Sequence, residues 1–386
     1  MAHHTRRVSR AARRRARLVR ALESAGVLAD PAWRSAFAEV PRHVFLNRFF
    51  RACGDGTWTA VDWSDPDWLD QVYADHVLVT QLDGDPTRWT VARETGPVFG
   101  VPTSSSSQPA IMAVMLAILD VADGHRVLEI GTGTGYNAAL LCHRLRAANV
   151  TTVDIDAELV AAARTRLADC GYRPACVAGD GADGHPAGAP YDRVLATCAV
   201  AHIPPAWLAQ TVPGGLIVTT LHRPLGAGLV RITVGEDGHG IGRVLAEDGR
   251  FMPLRAHRTA RMSRPADERS GVERSTELSG DVLVSHRSRF EFYAGLLLPE
   301  ATASTDPDGT LWLTDTDGSW VRHVGRRGRY RVWQGGPRNL WDVVEAAFAE
   351  WQELGQPARD RFGVSVGPDG QELWLDQPDG RHRWPL

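Results

Sequence analysis

Glu129, Gly131, Gly133, Gly135 and Asp154 are the residues whose types and spacing point most directly to chemistry. They belong to a stretch, residues 126–141, that reads as a short apolar strand, a glycine-rich turn and the opening of a helix. The glycines remove side chains where the backbone bends sharply and let a ligand approach it closely. The amides that open the following helix form an electropositive cradle. About 20 residues past Gly135, the strand-like residues 149–153 deliver Asp154, where a carboxylate can take two ribose hydroxyls. These residues imply a nucleoside-type cofactor.

A dinucleotide fingerprint places its third glycine three positions after the second, to make room for a pyrophosphate. Here the glycines alternate, and Glu129 stands two positions before the first of them. A carboxylate there repels a pyrophosphate and suits the zwitterionic tail of a methionine. The pattern resembles the first motif of class I S-adenosylmethionine methyltransferases, so S-adenosyl-L-methionine is the expected cofactor and S-adenosyl-L-homocysteine its product. Cofactor contacts are expected from Glu129, Gly131, Thr132, Gly133, Gly135 and Asn137 around the loop. Ile155 beside Asp154, Gly181 beside Asp180, and Thr197 complete the expected set, with Asp180 toward the adenine amino group.

The elements that must position these residues follow from hydrophobic patterning. Strands are expected at 126–130, 149–154, 175–178, 192–197, 215–220, 229–234 and 241–246. Helices fit at 110–119, 136–146, 157–170 and 204–211, with a weaker one at 182–187. Strands alternating with helices predict an α/β fold with a parallel, doubly wound sheet. The turn Gly235-Glu-Asp-Gly-His-Gly240 joins the last two strands as a hairpin, which makes one edge antiparallel. Seven strands with a terminal hairpin resemble the Rossmann-like sheet expected of a class I methyltransferase.

Three regions are expected: an N-terminal helical and loop segment at 1–100, the cofactor-binding core at 101–260, and an α+β accessory region at 261–386. Residues 6–21 carry eight arginines among Ala, Leu and Val and read as a basic helix. Such a helix is either a solvated face or a surface for nucleic acid, membrane or an acidic peptide. A second helix follows Asp30 and ends before Pro41. Residues 54–103 are rich in Trp, Asp and Pro and read as mostly loop with short strands. A polar stretch around 262–280 reads as a linker. Beyond it, residues 310–314, 330–333 and 372–375 read as strands and 340–354 as an amphipathic helix, with the tryptophans as core.

Composition bounds the function. The chain has 386 residues, a net charge of −3 and no lysine, so nothing draws it globally to nucleic acid. Five cysteines with no CxxC pair predict reduced thiols in a cytoplasmic protein and no metal. No stretch approaches the roughly 20 apolar residues of a membrane span, and the arginine-rich start lacks the apolar run of a secretory signal. No membrane partner is expected, and the sequence does not specify the oligomeric state.

Further motifs make the resemblance specific. Pro41-Arg-His-Val-Phe45, Tyr73-Ala-Asp-His76, Ser107-Gln-Pro109, Gly179-Asp-Gly181, Pro213-Gly-Gly215 and Arg250-Phe-Met-Pro-Leu254 occur in the order seen in protein-L-isoaspartate O-methyltransferases. The likeness covers roughly residues 30–258. It implies methyl transfer to an aspartyl-type carboxylate of a peptide. Ser107 is the counterpart of the family's serine beside the sulfonium and the substrate carboxylate. Ser106 and Ser107 are thus the expected catalytic contacts. Ser105, Gln108, His76 and His202 are the expected substrate contacts, the two histidines being alternatively loop residues. Cys198, near the same site, is not expected to react.

The chain departs from the family in its serine-only run, a longer stretch between Tyr73 and Ser107, and a C-terminal region without counterpart. These features resemble the methyltransferases of ATP-grasp peptide maturase systems. That branch implies an ATP-grasp-modified, macrocyclised ribosomal peptide (a graspetide) as partner, whose aspartate is esterified and closes to an aspartimide. Isoaspartyl repair of damaged proteins is the alternative. A non-catalytic peptide-binding partner and a small-molecule methyltransferase are further rivals.

Overall fold

The computed structural model describes residues 2–258, 264, 271–285, 288–326 and 328–386. The chain forms two compact units. The first comprises Met1–Cys198, Pro204–Val218 and Thr233–Gly238; the second comprises Ala199–Ile203, Thr219–Ile232 and His239–Leu386.

In the first unit, helix α1 (Ala2–Ser24) buries Ala11, Leu18, Val19 and Leu22, a helical stripe that leaves Arg10, Arg13, Arg17 and Arg20 exposed. Arg10, Arg14 and Arg17 converge on Asp70, so part of the basic face is neutralised internally. Helix α2 (Pro31–Glu39) starts where Asp30 accepts the Ala32 amide at 2.7 Å and Pro31 needs no partner. The short α3 (Arg42–Phe45) follows Pro41.

The stretch read as mostly loop is instead a five-stranded antiparallel sheet. Its strands are β1 (Arg48–Ala52), β2 (Thr57–Asp62), β3 (Leu78–Leu82), β4 (Val98–Phe99) and β5 (Pro102–Ser106), in the order β4-β2-β1-β3-β5. Helices α4 (Trp68–Val72) and α5 (Arg88–Thr95) lie between them in the chain. Phe50, Ala60, Val79, Leu82 and Ala92 form a core that Trp58, Trp89 and Val98 complete. The strands are short and mix apolar with polar residues without clean alternation, and β1 pairs with β3 across an intervening strand and helix, so hydrophobic periodicity did not reveal them.

Helix α6 (Pro109–Ile118) leads into the α/β core. Strands β6 (Val127–Ile130), β7 (Val150–Asp154), β8 (Ala175–Ala178) and β9 (Tyr191–Val200) are parallel, in the order β9-β6-β7-β8. All four residues of β6 are buried, as expected of a strand covered on both faces. Helices α7 (Tyr136–Leu145) and α8 (Ala157–Asp169) fall where the sequence predicts them. The helix expected at 182–187 is two 3₁₀ turns, Gly181–Asp183 and Pro186–Gly188, because Gly184 (φ +61°) interrupts it. Helix α9 (Pro205–Ala209) and strands β10 (Thr211–Leu221), β11 (Gly228–Val234) and β12 (Gly240–Val244) follow.

In the second unit, β13 (Val272–Thr276) occupies part of the stretch read as a linker; residues 259–263 and 265–270 of that stretch lie outside the described residues. After α10 (Asp281–Val284) and α11 (Glu291–Leu297) come β14 (Thr302–Thr305), β15 (Leu311–Thr314), β16 (Trp320–Arg326) and β17 (Arg329–Gly335). With β13 they make a second five-stranded sheet, ordered β13-β17-β16-β15-β14. Helix α12 (Leu340–Glu353) precedes β18 (Phe362–Gly367), β19 (Gly370–Leu375) and β20 (Arg383–Pro385). Strand β18 pairs antiparallel with β12 and extends the hairpin through β19 and β20. Trp312, Trp341 and Trp374 are buried, which makes them core. Among the described residues, no helix is long and apolar enough to cross a membrane.

Candidate functional site

The loop from β6 to α7 is shaped by left-handed backbone at Gly131 (φ +96°), Gly133 (φ +50°) and Gly135 (φ +87°). A Cβ on Gly131 would stand 2.7 Å from Thr197 Oγ1, and one on Gly135 would stand 3.0 Å from the Ala163 Cβ. Close packing and backbone conformation therefore both demand glycine at these two positions.

Glu129 lies beneath the loop at 0% exposure. Its carboxylate accepts hydrogen bonds from Asn137 Nδ2 (2.7 Å) and Thr152 Oγ1 (2.6 Å), and Thr152 in turn meets Thr132 Oγ1 at 2.6 Å. Burial pushes the Glu129 carboxyl up to about 7. Glu129, Thr132 and Asn137, all expected at the cofactor, thus turn these polar atoms to one another and to Thr152. Thr197 Oγ1 donates to the carbonyls of Ile130 and Gly131, holding the loop.

At the end of β7, Asp154 Oδ2 accepts the Gly133 amide at 2.9 Å and Oδ1 accepts the Asp156 amide at 3.1 Å. Ile155 beside it is 44% exposed. Asp154 is in register with Ala178 of β8, so Asp180 and Gly181 emerge at the same carboxyl end of the sheet. Asp180 accepts the Ala182 amide, and the Gly181 carbonyl takes Trp207 Nε1 at 2.7 Å. Loop amides, a carboxylate, an exposed apolar side chain and a second carboxylate thus share the carboxyl edge, the usual ligand crevice of an open α/β sheet. This donor set fits an adenosyl group.

The serine strand β5 meets this loop. A Cβ on Gly133 would lie 3.5 Å from the Ser105 carbonyl and 3.7 Å from Ser104 Oγ. Ser104 and Ser106 are buried, whereas Ser105 and Ser107 are partly exposed. Neighbouring residues on a strand face opposite sides. Ser106, expected beside Ser107 as a catalytic contact, instead turns its hydroxyl inward to Arg42.

Arg42 escaped the sequence reading as a functional residue, although it sits within Pro41-Arg-His-Val-Phe45. It is 0% exposed, and its guanidinium donates to the carbonyls of Val72 (2.9 Å), Ala74 (3.2 Å) and Ser107 (3.0 Å) and to Ser106 Oγ (3.4 Å). Burial lowers its pKa to about 10, which leaves it cationic at neutral pH. Among the described residues no carboxylate forms an ion pair with it. One side chain therefore ties the segment before His76 to the end of the serine strand.

Asp75 supplies a second tie. Its carboxylate accepts Gln108 Nε2 at 3.0 Å and the Ala110 amide at 2.8 Å, and so caps α6. Gln108 thus points at Asp75. His76 is exposed, and partial burial together with the Arg42 charge holds it below the usual histidine range. His202 belongs to the second unit, where its ring lies 4.3 Å from that of His257. Burial pushes the Cys198 thiol up, away from thiolate chemistry.

Comparison with known proteins agrees with this geometry. The family model for protein-L-isoaspartate(D-aspartate) O-methyltransferase matches residues 94–258. The chain is 35% identical over 243 residues to protein-L-isoaspartate O-methyltransferase 1 of Anaeromyxobacter sp., covering 62% of this chain and 94% of that protein. It is 40% identical over 149 residues to the protein-L-isoaspartate O-methyltransferase of Azorhizobium caulinodans, covering 38% and 67% respectively. A solved protein-L-isoaspartate O-methyltransferase superposes with a TM-score of 0.53 at 22% identity, over 94% of this chain and 100% of that one, a likeness of fold.

Proposed function

We propose that this chain, which belongs to the protein-L-isoaspartate O-methyltransferase family, esterifies an isoaspartyl-type carboxylate of a peptide or protein. It is a carboxyl O-methyltransferase that depends on S-adenosylmethionine. The observation that carries the reading is the meeting of Gly133 in the cofactor loop with Ser104 and Ser105 of the serine strand.

When bound, S-adenosylmethionine supplies an electrophilic methyl group on a sulfonium. A substrate carboxylate is already ionised at neutral pH, since its reference pKa lies near 4, so no general base is needed. The chain's work is alignment and exclusion of water, and alignment alone is worth roughly 7–11 kcal/mol in favourable cases. In this reading Ser107 donates a hydrogen bond to the carboxylate without neutralising it. Arg42, spent on three carbonyls and a hydroxyl, fixes Ser107 while keeping its charge off the nucleophile. Asp154 would hold the ribose, the glycine-loop amides the methionine end, and Ile155, Asp180 and Gly181 the adenine. Glu129, Thr132, Asn137 and Thr197 would act by shaping the loop, His76 and Ser105 would face the peptide, and Gln108 would brace Asp75.

The test is mass spectrometry after incubation with S-adenosylmethionine and a short isoaspartyl peptide. A gain of one methylene mass, absent with the aspartyl isomer, is expected; no gain on any isoaspartyl peptide would sink the reading. Asp154→Ala should weaken cofactor binding by about 1–3 kcal/mol, read by calorimetry, because buried donors and acceptors lose partners.

A narrower reading is that the substrate is an ATP-grasp-modified macrocyclic ribosomal peptide, esterified on aspartate and passed on to an aspartimide. It is favoured by the residues after 258, which follow the family match and build a sheet of their own. Methylation of a cyclised precursor in preference to the isoaspartyl peptide would select it.

A further inference from the structure

Beside the glycine loop lies a pocket of about 160 Å³ that the methyl-transfer chemistry leaves unused. One wall is the loop and α8, with Gly133, Thr134 and Arg166; the other is the N-terminal region, with Arg48 of β1 and Trp89 of α5. The first wall falls inside the family match and the second precedes it.

Two arginines line this pocket. Arg166 is half-buried, and its only hydrogen bond among the described residues is a 3.5 Å contact to the Thr134 carbonyl. Arg48 lies over the Trp89 ring at 5.3 Å. Among the described residues neither arginine forms an ion pair. Burial and the Arg48 charge hold Arg166 below its ordinary range, so the two guanidiniums repel across the space. Two carboxylates also line the pocket. Asp85 is spent on the amide and hydroxyl of Thr87, and Glu158 is exposed in the first turn of α8.

Two guanidiniums lining one pocket, Arg166 half-buried and Arg48 exposed, favour a planar oxyanion held by several donors. At roughly 30 Å³ per water, the volume suits about five waters or one acidic side chain. Because Gly133 lines the pocket and also abuts Ser105, a peptide lying at Ser107 is within a few residues' reach of it. We propose that this pocket takes the carboxylate of an Asp or Glu side chain flanking the methylated residue, so that the enzyme selects acidic peptide segments. The inference rests on the peptide-methyltransferase reading for the identity of its ligand.

The test compares two isoaspartyl peptides that differ only in carrying Glu or Gln on both sides of the isoaspartate, with the full chain as enzyme. The Glu peptide is expected to be favoured about tenfold in kcat/KM, through KM, the size of one charge-assisted hydrogen bond. Arg48→Gln and Arg166→Gln should each remove most of that preference, and calorimetry with S-adenosylhomocysteine verifies that each variant retains a formed cofactor site. Equal kcat/KM for the two peptides, or a preference that survives both substitutions, overturns the proposal. If neither peptide is methylated, the functional reading fails by itself and direct binding decides the pocket. N-acetylglutamate, titrated against N-acetylglutamine, should then bind the wild-type chain and not Arg166→Gln; no difference overturns it. Competition by inorganic phosphate that leaves N-acetylglutamate unbound would assign the site to a free anion and overturn the peptide assignment.

Discussion

The glycine loop between β6 and α7 is held by its own backbone and by adjacent strands, whereas the serine strand opposite is paired along β3 and anchored at its end by one side chain more than sixty residues away. Gly131 and Gly135 adopt conformations that side chains rarely take, and Asp154 locks Gly133 from the neighbouring strand. The serine strand has no such internal logic. Beyond the pairing of Ser106 with Leu78 of β3, the end of the strand is held by Arg42, which reaches the Ser106 hydroxyl and the Ser107 carbonyl while also holding Val72 and Ala74. One half of the site is thus specified locally and the other by a buried cation, and the two halves should fail differently.

The largest effect is expected from breaking the second half at its tie. Arg42→Met would leave three carbonyls and a hydroxyl without their donor, at a cost of about 3 kcal/mol or more. Thermal or denaturant unfolding should register that loss. Arg42→Lys should recover part of the stability but less of the turnover, because an ammonium cannot span the same acceptors. A variant as stable and active as the wild type would remove Arg42 from the account.

Striking the glycine loop should damage cofactor affinity more than peptide affinity. Gly131→Ala combines left-handed strain with a 2.7 Å approach to Thr197 Oγ1 and should cost about 2 kcal/mol or more. Calorimetry with S-adenosylhomocysteine reads this directly. Unchanged affinity would mean that the loop adapts and that its glycines are not required.

Protonation sharpens the contrast from beneath the loop. Burial raises Glu129 from an ordinary value near 4.5 to about 7 in the folded chain, so folding favours its neutral form. The stability this contributes is full below about pH 4.5 and is lost as pH rises through about 7; by linkage the span is worth roughly 3 kcal/mol. Glu129→Gln cannot ionise, and Asn137 can turn its amide to match. Its unfolding free energy should therefore lose this pH dependence. An unaltered slope would show that other groups set it.

The smallest expected effect probes the substrate side alone. Ser107→Ala should spare S-adenosylhomocysteine binding and lower kcat about tenfold, the worth of one hydrogen bond to a charged group. A wild-type rate would leave the carboxylate to backbone donors.

The sequence by itself determined the α/β core. The apolar runs of β6 and β7, the alternating glycines and Asp154 lie within a few tens of residues, and each carries its conformational meaning locally. The same locality placed α7 and α8 within a residue of their observed ends. Only the tertiary structure decided the rest. The sheet of residues 48–106 is built from short strands without clean alternation, and beyond the β1–β2 hairpin its pairing is long-range, so no periodicity announced it. Strand alternation turned Ser106 inward, away from the role its neighbour Ser107 keeps, and packing left Arg42 with carbonyls in place of a carboxylate. A strand's facing and a buried charge's partners depend on what lies across the fold, and a single line of residues does not contain that information.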